Sequence, residues 1–203
     1  MPTRRTPTGA AVLQPEVTNA ITEAVLDELA AVGYGRLAME AVAKRAGVGK
    51  SALYRRWPSK DAMISAVVAE FSVSRATAPD TGTLRGDLIA MQQAVHDWLT
   101  HPRFSRILPD LIAEGARNPG PAEEIRGAIG GPRREVARRV FDRALGRGEL
   151  PAGTDVELAL DLLAGPIYWR LVVRREPPGP DFLEHVVDHV LRALGAREVP
   201  AGE

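Results

Sequence analysis

Between Ala41 and Lys60 the chain runs AVAKRAGVGKSALYRRWPSK, with six cationic side chains, a tyrosine and a tryptophan and no acid among them. Guanidinium and ammonium groups beside a phenol suit one task above others, which is holding phosphate oxygens. The charge is also local. Over residues 36–60, Arg36, Lys44, Arg45, Lys50, Arg55, Arg56 and Lys60 stand against Glu40 alone, a balance of +6. The whole chain carries 26 Lys and Arg against 26 Asp and Glu, so the remainder is −6. A polyanion would bind such a molecule in one orientation, whereas a uniformly basic protein would coat it. A solvated basic helix face has the same composition, so spacing must decide between the two.

A second place where chemistry is conceivable is HVVDH, residues 185–189. Two histidines four apart with an acid between them approach the pattern of zinc hydrolases. Asp188 is one methylene shorter than the glutamate that such a site aims at its metal-bound water. Only His96 and His101 remain to supply a third ligand. On a helical wheel His185 and His189 share the polar side with Glu184, Asp188 and Arg192, which predicts a solvated face with an Asp188–Arg192 ion pair. A zinc-dependent hydrolase on His185 and His189 is the alternative the spacing does not favour. With no cysteine there is no thiolate nucleophile or cysteine metal site. GAIGGP at 127–132 lacks a preceding strand, so no nucleotide loop is expected. The expectation is a protein with no catalytic residue, no metal and no cofactor.

The elements that must position the basic cluster follow from apolar periodicity. Val17, Ile21, Val25 and Leu29 recur every four residues and predict a helix from Pro15 to about Val32, closed by the glycines of VGYG. Met39, Val42, Ala43 and Ala46 make a second, short stripe. Gly47 falls where the chain needs a positive φ to turn, Val48 can plug the corner, and helix resumes at Gly49 or Lys50. Two short helices across a tight glycine turn form a helix-turn-helix, whose second helix can enter a major groove. At about 100° per residue, Leu53 and Trp57 face inward while Ser51, Ala52 and Arg55 face outward, flanked by Tyr54 and Arg56. Short side chains with one guanidinium suit base edges, and the tyrosine hydroxyl and flanking cations suit phosphates. Ser59 can cap the next helix, with Ile64, Val67, Val68 and Phe71 as its buried stripe. Lys60 in that first turn opposes the helix dipole, a mismatch that a DNA phosphate would relieve.

Residues 15–71, and above all AGVGKSALYRRWPSK, resemble the amino-terminal DNA-binding domain of the TetR family of bacterial transcriptional repressors. The resemblance implies that Lys50, Ser51, Ala52 and Arg55 face DNA, that Tyr54 and Lys60 contact its backbone, and that Trp57 buttresses the motif; the wheel adds Arg56. Where the family often has threonine or serine, this chain has Ala38, losing an N-cap hydroxyl and a phosphate contact. PTRRTP resembles the family's basic arm, which implies Arg4 and Arg5 near a minor groove; a plain soluble terminus has the same composition.

Beyond residue 83 the chain is helical in pattern, with no competing strand signal. NPGP, GGP and GELPAGTD are expected breaks, and Pro109 and Pro166 are expected to kink or restart helices. In the last helix, Phe182 to Leu194, apolar residues cover about 180°, wider than the roughly 100° needed to dock on one core, so either a second subunit or wide burial within the chain must cover it. The resemblance implies a homodimer through the last two helices, presenting two recognition helices about 34 Å apart to a palindromic double-stranded operator. It also implies an inducer cleft in the carboxy-terminal part, for which Met91, Val95, Trp98, Leu108, Ile112, Phe141, Tyr168 and Trp169 serve either as lining or as plain core. A small apolar or aromatic ligand is expected there.

The expected fold is all-α: a flexible arm (1–14), a three-helix helix-turn-helix domain (15–75), and a larger helical ligand-binding and dimerisation domain (76–203). The expected function is a sequence-specific repressor released by an inducer, with a ligand-independent repressor as the alternative. With no long apolar run and no secretory leader pattern, no membrane partner is expected and the cytoplasm is the expected location.

Overall fold

The computed structural model describes residues 15–76 and 78–197, so the expected arm with Arg4 and Arg5 lies outside the described residues. The order is α1 (Pro15–Arg36), α2 (Met39–Ala46), α3 (Lys50–Tyr54), α4 (Lys60–Val73), α5 (Leu84–Thr100), α6 (Phe104–Arg117), α7 (Pro119–Gly146), α8 (Val156–Tyr168) and α9 (Phe182–Ala193). A π-helical turn, Trp169–Val173, extends α8. The fold is all-α, with no strand among the described residues.

Apolar stripes from these helices close two clusters. The first joins Ile21, Leu26, Leu53, Met63 and Ile64 of the amino-terminal helices to Phe104 and Ile107 of α6 and Ile125 of α7. The second holds Leu84 and Leu88 of α5, Phe141 of α7, Leu163 of α8 and Val187 of α9. Helices α6 and α7 therefore bury side chains directly against the helix-turn-helix, so a shift in either is felt there through packed contacts.

The expected break at GGP does not occur, and neither Pro109 nor Pro166 restarts a helix. Pro109, Pro132 and Pro166 all lie inside continuous helices, and the GGP segment falls within α7 instead of breaking it. Each proline removes only its own N–H from the ladder, and long flanking stretches packed on neighbours hold the helix together across the gap. The irregularity after Pro166 emerges three residues later, where Arg174 N donates to Trp169 O at 2.9 Å, an i to i+5 bond. NPGP and GELPAGTD do separate α6, α7 and α8.

A polar network pins α5 to the carboxyl end of α7. Asp87, fully buried, accepts from Thr81 N at 2.6 Å and Thr81 Oγ1 at 2.8 Å. Its second oxygen faces Arg143 at 3.8 Å and Arg147 at 3.6 Å. Glu149, also buried, accepts from Leu84 N at 2.5 Å and pairs with Arg147.

Candidate nucleic-acid interface and ligand cavity

The turn between α2 and α3 forms because Gly47 takes φ 67°, ψ 29°, a left-handed conformation that a Cβ would strain. Its N–H donates to Lys44 O at 3.3 Å, and Val48 N to Ala43 O at 3.0 Å, which satisfies the carbonyls freed at the end of α2. Val48 packs against the core as the corner plug. Leu53, fully buried, anchors α3, and half-buried Trp57 packs on the same cluster.

Lys50, Ser51, Tyr54 and Arg55 are exposed, Ala52 is half-buried between them, and Tyr54 keeps 51% of its surface. Lys50 pairs with Glu40 at 2.7 Å, which holds Glu40's carboxyl below the usual carboxylate range. Arg56 is half-buried and donates to Ala52 O at 3.2 Å. Arg45 turns toward buried Glu28 at 2.7 Å. Of the seven cations in residues 36–60, only Lys44 and Arg55 have neither an acid nor an acceptor among the described residues.

Lys60 is held internally as well. Its Nζ donates to Tyr34 O at 3.0 Å and lies 4.6 Å from the centre of the Tyr34 ring. Tyr34 in turn donates its hydroxyl to Asp61 at 2.5 Å and its N–H to Asp110 of α6 at 2.7 Å. Burial first, and the Asp61 bond second, push the phenol's pKa well above its ordinary value. Gly33 makes the approach possible, with φ 78°, ψ 169° and a notional Cβ only 3.0 Å from the Asp110 carboxylate. One tyrosine thus ties α1, α4 and α6 together at the base of the reading head. Sequence reasoning missed it, because Asp110 lies 76 residues away and no periodicity signals the pairing.

Ala38 stands at the N-cap of α2 with an extended backbone (φ −120°, ψ 137°) and no side-chain cap, whereas Ser59 caps α4 by accepting from Ala62 N at 3.1 Å. Ala38→Ser should therefore raise stability by about 1 kcal/mol in thermal denaturation. An unchanged midpoint would mean that the α2 donors already have solvent partners as good as a hydroxyl.

The eight residues offered as cleft lining do not gather in one place. Met91 and Val95 do line a cavity of about 210 Å³ between α5, α7 and α8, together with Gln92, Arg133, Val136, Leu160 and Leu163. Trp98 is buried away from that lining, under the Arg133 guanidinium at 4.1 Å. Phe141 is fully buried in the second cluster, while Leu108 and Tyr168 pack half-buried against the first. Ile112 and Trp169 are exposed. Arg133, a cavity-wall cation, was not anticipated, because RREVARR has the composition of a solvated face.

The histidine pair is exposed and self-contained: His189 Nδ1 meets His185 O at 2.6 Å. The expected Asp188–Arg192 ion pair is corrected, since Asp188 reaches Arg85 of α5 at 3.0 Å and Arg192 donates only to the Asp188 backbone carbonyl. The α5–α9 packing brings Arg85 closer than the local partner. No group of three His, Cys, Asp or Glu among the described residues is placed to hold a metal.

Comparison with known proteins agrees with this geometry. Residues 21–67 match the family model described as bacterial regulatory proteins, tetR family, and residues 78–190 match the tetracyclin repressor-like C-terminal domain. The chain is 31% identical to the DNA-binding transcriptional repressor TetR of Mycobacteroides abscessus, over 88% of its own length and 95% of that protein. It is 28% identical to the HTH-type transcriptional regulator YdeS of Bacillus subtilis, over 87% of this chain and 89% of that one. Among solved structures, the TetR family transcription regulator SCO0332 superposes with a TM-score of 0.71 at 31% identity, covering 87% of this chain and 97% of that one. With both halves of the chain matched and a helix-turn-helix built on Gly47 and Leu53, this protein belongs to the TetR family of DNA-binding transcriptional regulators.

Proposed function

We propose that the protein is a repressor that binds a twofold-symmetric operator as a homodimer and leaves it when a small molecule fills the α5–α7–α8 cavity. The observation that carries the DNA half is Arg55, exposed on the outer side of α3 with no acid or acceptor among the described residues to hold it. An unpartnered guanidinium beside Ser51 and Ala52 is free to grip a guanine edge. Lys50, Tyr54, Arg56 and Lys60 then serve phosphates, Lys60 from its seat on Tyr34. Kinship at 31% identity with a protein described as a repressor supports that sign of regulation.

The homodimer rests on α8 and its extension. Leu158, Leu162, Trp169 and Val173 keep 53%, 38%, 59% and 48% of their surfaces exposed and line one face at helical spacing. A second copy of the same helix is the self-complementary cover that a twofold interface requires. Residues 15–75 read the operator, residues 76–203 bind ligand and partner, and residues 1–14 act as an arm along the DNA. The cytoplasm is where such a regulator meets its operator. No described helix is long and apolar enough to cross a membrane.

Selecting duplexes from random DNA with the full-length protein should return two half-sites about one helical turn apart. On the selected sequence, Arg55→Ala should cost about 1 to 3 kcal/mol per half-site and relax one base position. Equal losses on selected and random duplexes would remove Arg55 as the reader.

A further inference from the structure

Seven buried side-chain polar atoms have no hydrogen-bond partner among the described residues. Asp87 Oδ2, Arg143 Nε and Arg147 Nη2 belong to the ion network at the start of α5, where charge compensates them: Arg147 Nη2 is 3.6 Å from Asp87 and Arg143 Nε is 3.7 Å from Asp80. Arg56 Nε is in the reading head. The remaining three, Gln92 Oε1, Trp98 Nε1 and Ser72 Oγ, belong to residues that touch Arg133 or share the cavity with it. Of the three only Gln92 lines the cavity, and its buried Oε1 is an acceptor left for a partner from outside the chain.

Arg133 supplies the charge. It lines the cavity, lies over the Trp98 ring, and has one acceptor among the described residues, the Ser72 carbonyl at 2.7 Å. Its neighbour Arg134 pairs with Glu157 at 3.2 Å and with Asp161, whereas no carboxylate lies within ion-pair distance of Arg133 among the described residues. Burial alone lowers the Arg133 pKa to about 10, so it stays cationic at neutral pH. Its four remaining donors are not among the buried orphans, so they are open to an incoming anion.

The rest of the wall sets the size and shape. Met91, Val95, Val136, Leu160 and Leu163 are apolar, and the paired Arg134 and Asp161 on the same lining compensate each other, which leaves Arg133 as the wall's cation without a carboxylate among the described residues. A volume of about 210 Å³ takes one ring with a small substituent, given that a cavity of about 150 Å³ accommodates benzene. Gln92 is oriented by its Nε2 donating to Leu163 O at 2.7 Å, which leaves Oε1 to accept.

We infer that the cavity binds a compact organic monoanion, an aromatic carboxylate bearing a hydroxyl or N–H, with Arg133 holding the carboxylate and Gln92 Oε1 accepting from the donor. This deepens the ligand half of the proposed function and rests on it only for the effect on DNA. That effect has a route: Ser72 lies in the last turn of α4, the helix that follows the reading head. A carboxylate on the free donors draws the guanidinium into the cavity, and the same head group holds the Ser72 carbonyl of α4, so loading the cavity is felt at that bond.

The test is titration calorimetry on the full-length protein with 4-hydroxybenzoate and its neutral isostere 4-hydroxybenzamide. The acid should bind at least about tenfold tighter than the amide, the preference should vanish in Arg133→Met, and it should persist in Arg138→Met, whose arginine pairs with Glu157 outside the lining. Equal affinities, or no binding of the acid in the millimolar range, would overturn the assignment even if Arg133→Met failed to fold. Anisotropy on the selected operator is read separately. Acid binding that leaves operator affinity unchanged upholds this site and sinks the release mechanism instead.

Discussion

Leu162→Glu combined with Trp169→Glu is expected to give a folded monomer with affinity for the full operator lower by about 10²- to 10⁴-fold. Both side chains lie on the outer face of the α8 segment, Trp169 59% exposed and Leu162 38%, so Trp169→Glu costs little burial within the chain and Leu162→Glu some. The inner face of α8 is made by Ala159, Leu160, Leu163 and Ile167, all buried, and is untouched. Across a twofold axis each glutamate counts twice and meets apolar surface from its mate, where a carboxylate is desolvated without a partner. The loss on DNA follows from connection: once one head is seated, a dimer presents the second at a high effective concentration, and a monomer does not. Sedimentation velocity reads the assembly and fluorescence anisotropy the operator. A dimer that persists with both glutamates in place would move the interface off α8.

That stripe also shows where sequence stops being informative. The sequence pattern drew attention to α9, whose apolar residues cover half its circumference, yet Val186, Val187 and Val190 are buried within the same chain and Phe182, Leu183 and Leu191 are half-buried. Packing against α5 and α8 covers much of the width that the wheel assigned to a partner. The most exposed apolar face is on α8, where residues on both sides are apolar, so period alone cannot say which side meets the core. The helix-turn-helix was legible for the opposite reason. A positive φ at Gly47, a plug at Val48 and an inward Leu53 are local demands, met within about ten residues. The charge count was only half informative. Lys50 and Arg45 are drawn to Glu40 and Glu28, and Lys60 to Tyr34, leaving Lys44 and Arg55 without partners among the described residues, of which Arg55 alone stands beside Ser51 and Ala52. Arg133 was hidden because a cation in an arginine-rich helix looks solvated until tertiary packing turns it over Trp98.

The same long-range logic makes Asp87 the most sensitive single position for stability. Asp87→Ala strips acceptors from Thr81 N and Thr81 Oγ1 and leaves Arg143 and Arg147 facing a site with no buried carboxylate at Asp87. Removing the buried carboxylate costs about 3 kcal/mol, the low end for a buried ionic network, because Arg147 keeps Glu149 and Arg143 keeps Asp80. For a chain of this length that is a fall in Tm of roughly 10 °C, measured at fixed protein concentration since any dimer adds a mass-action term. Asp87→Asn keeps an acceptor for Thr81 and loses only the charge, so it should fall between wild type and alanine. The exposed Asp97, paired with His96 at 3.2 Å on the surface of α5, is the control, and Asp97→Ala should change stability by less than about 1 kcal/mol. If Asp87→Ala proved no worse than Asp97→Ala, the charges on α7 would be finding water, and the network could not be what fixes α5 against α7 along two walls of the cavity.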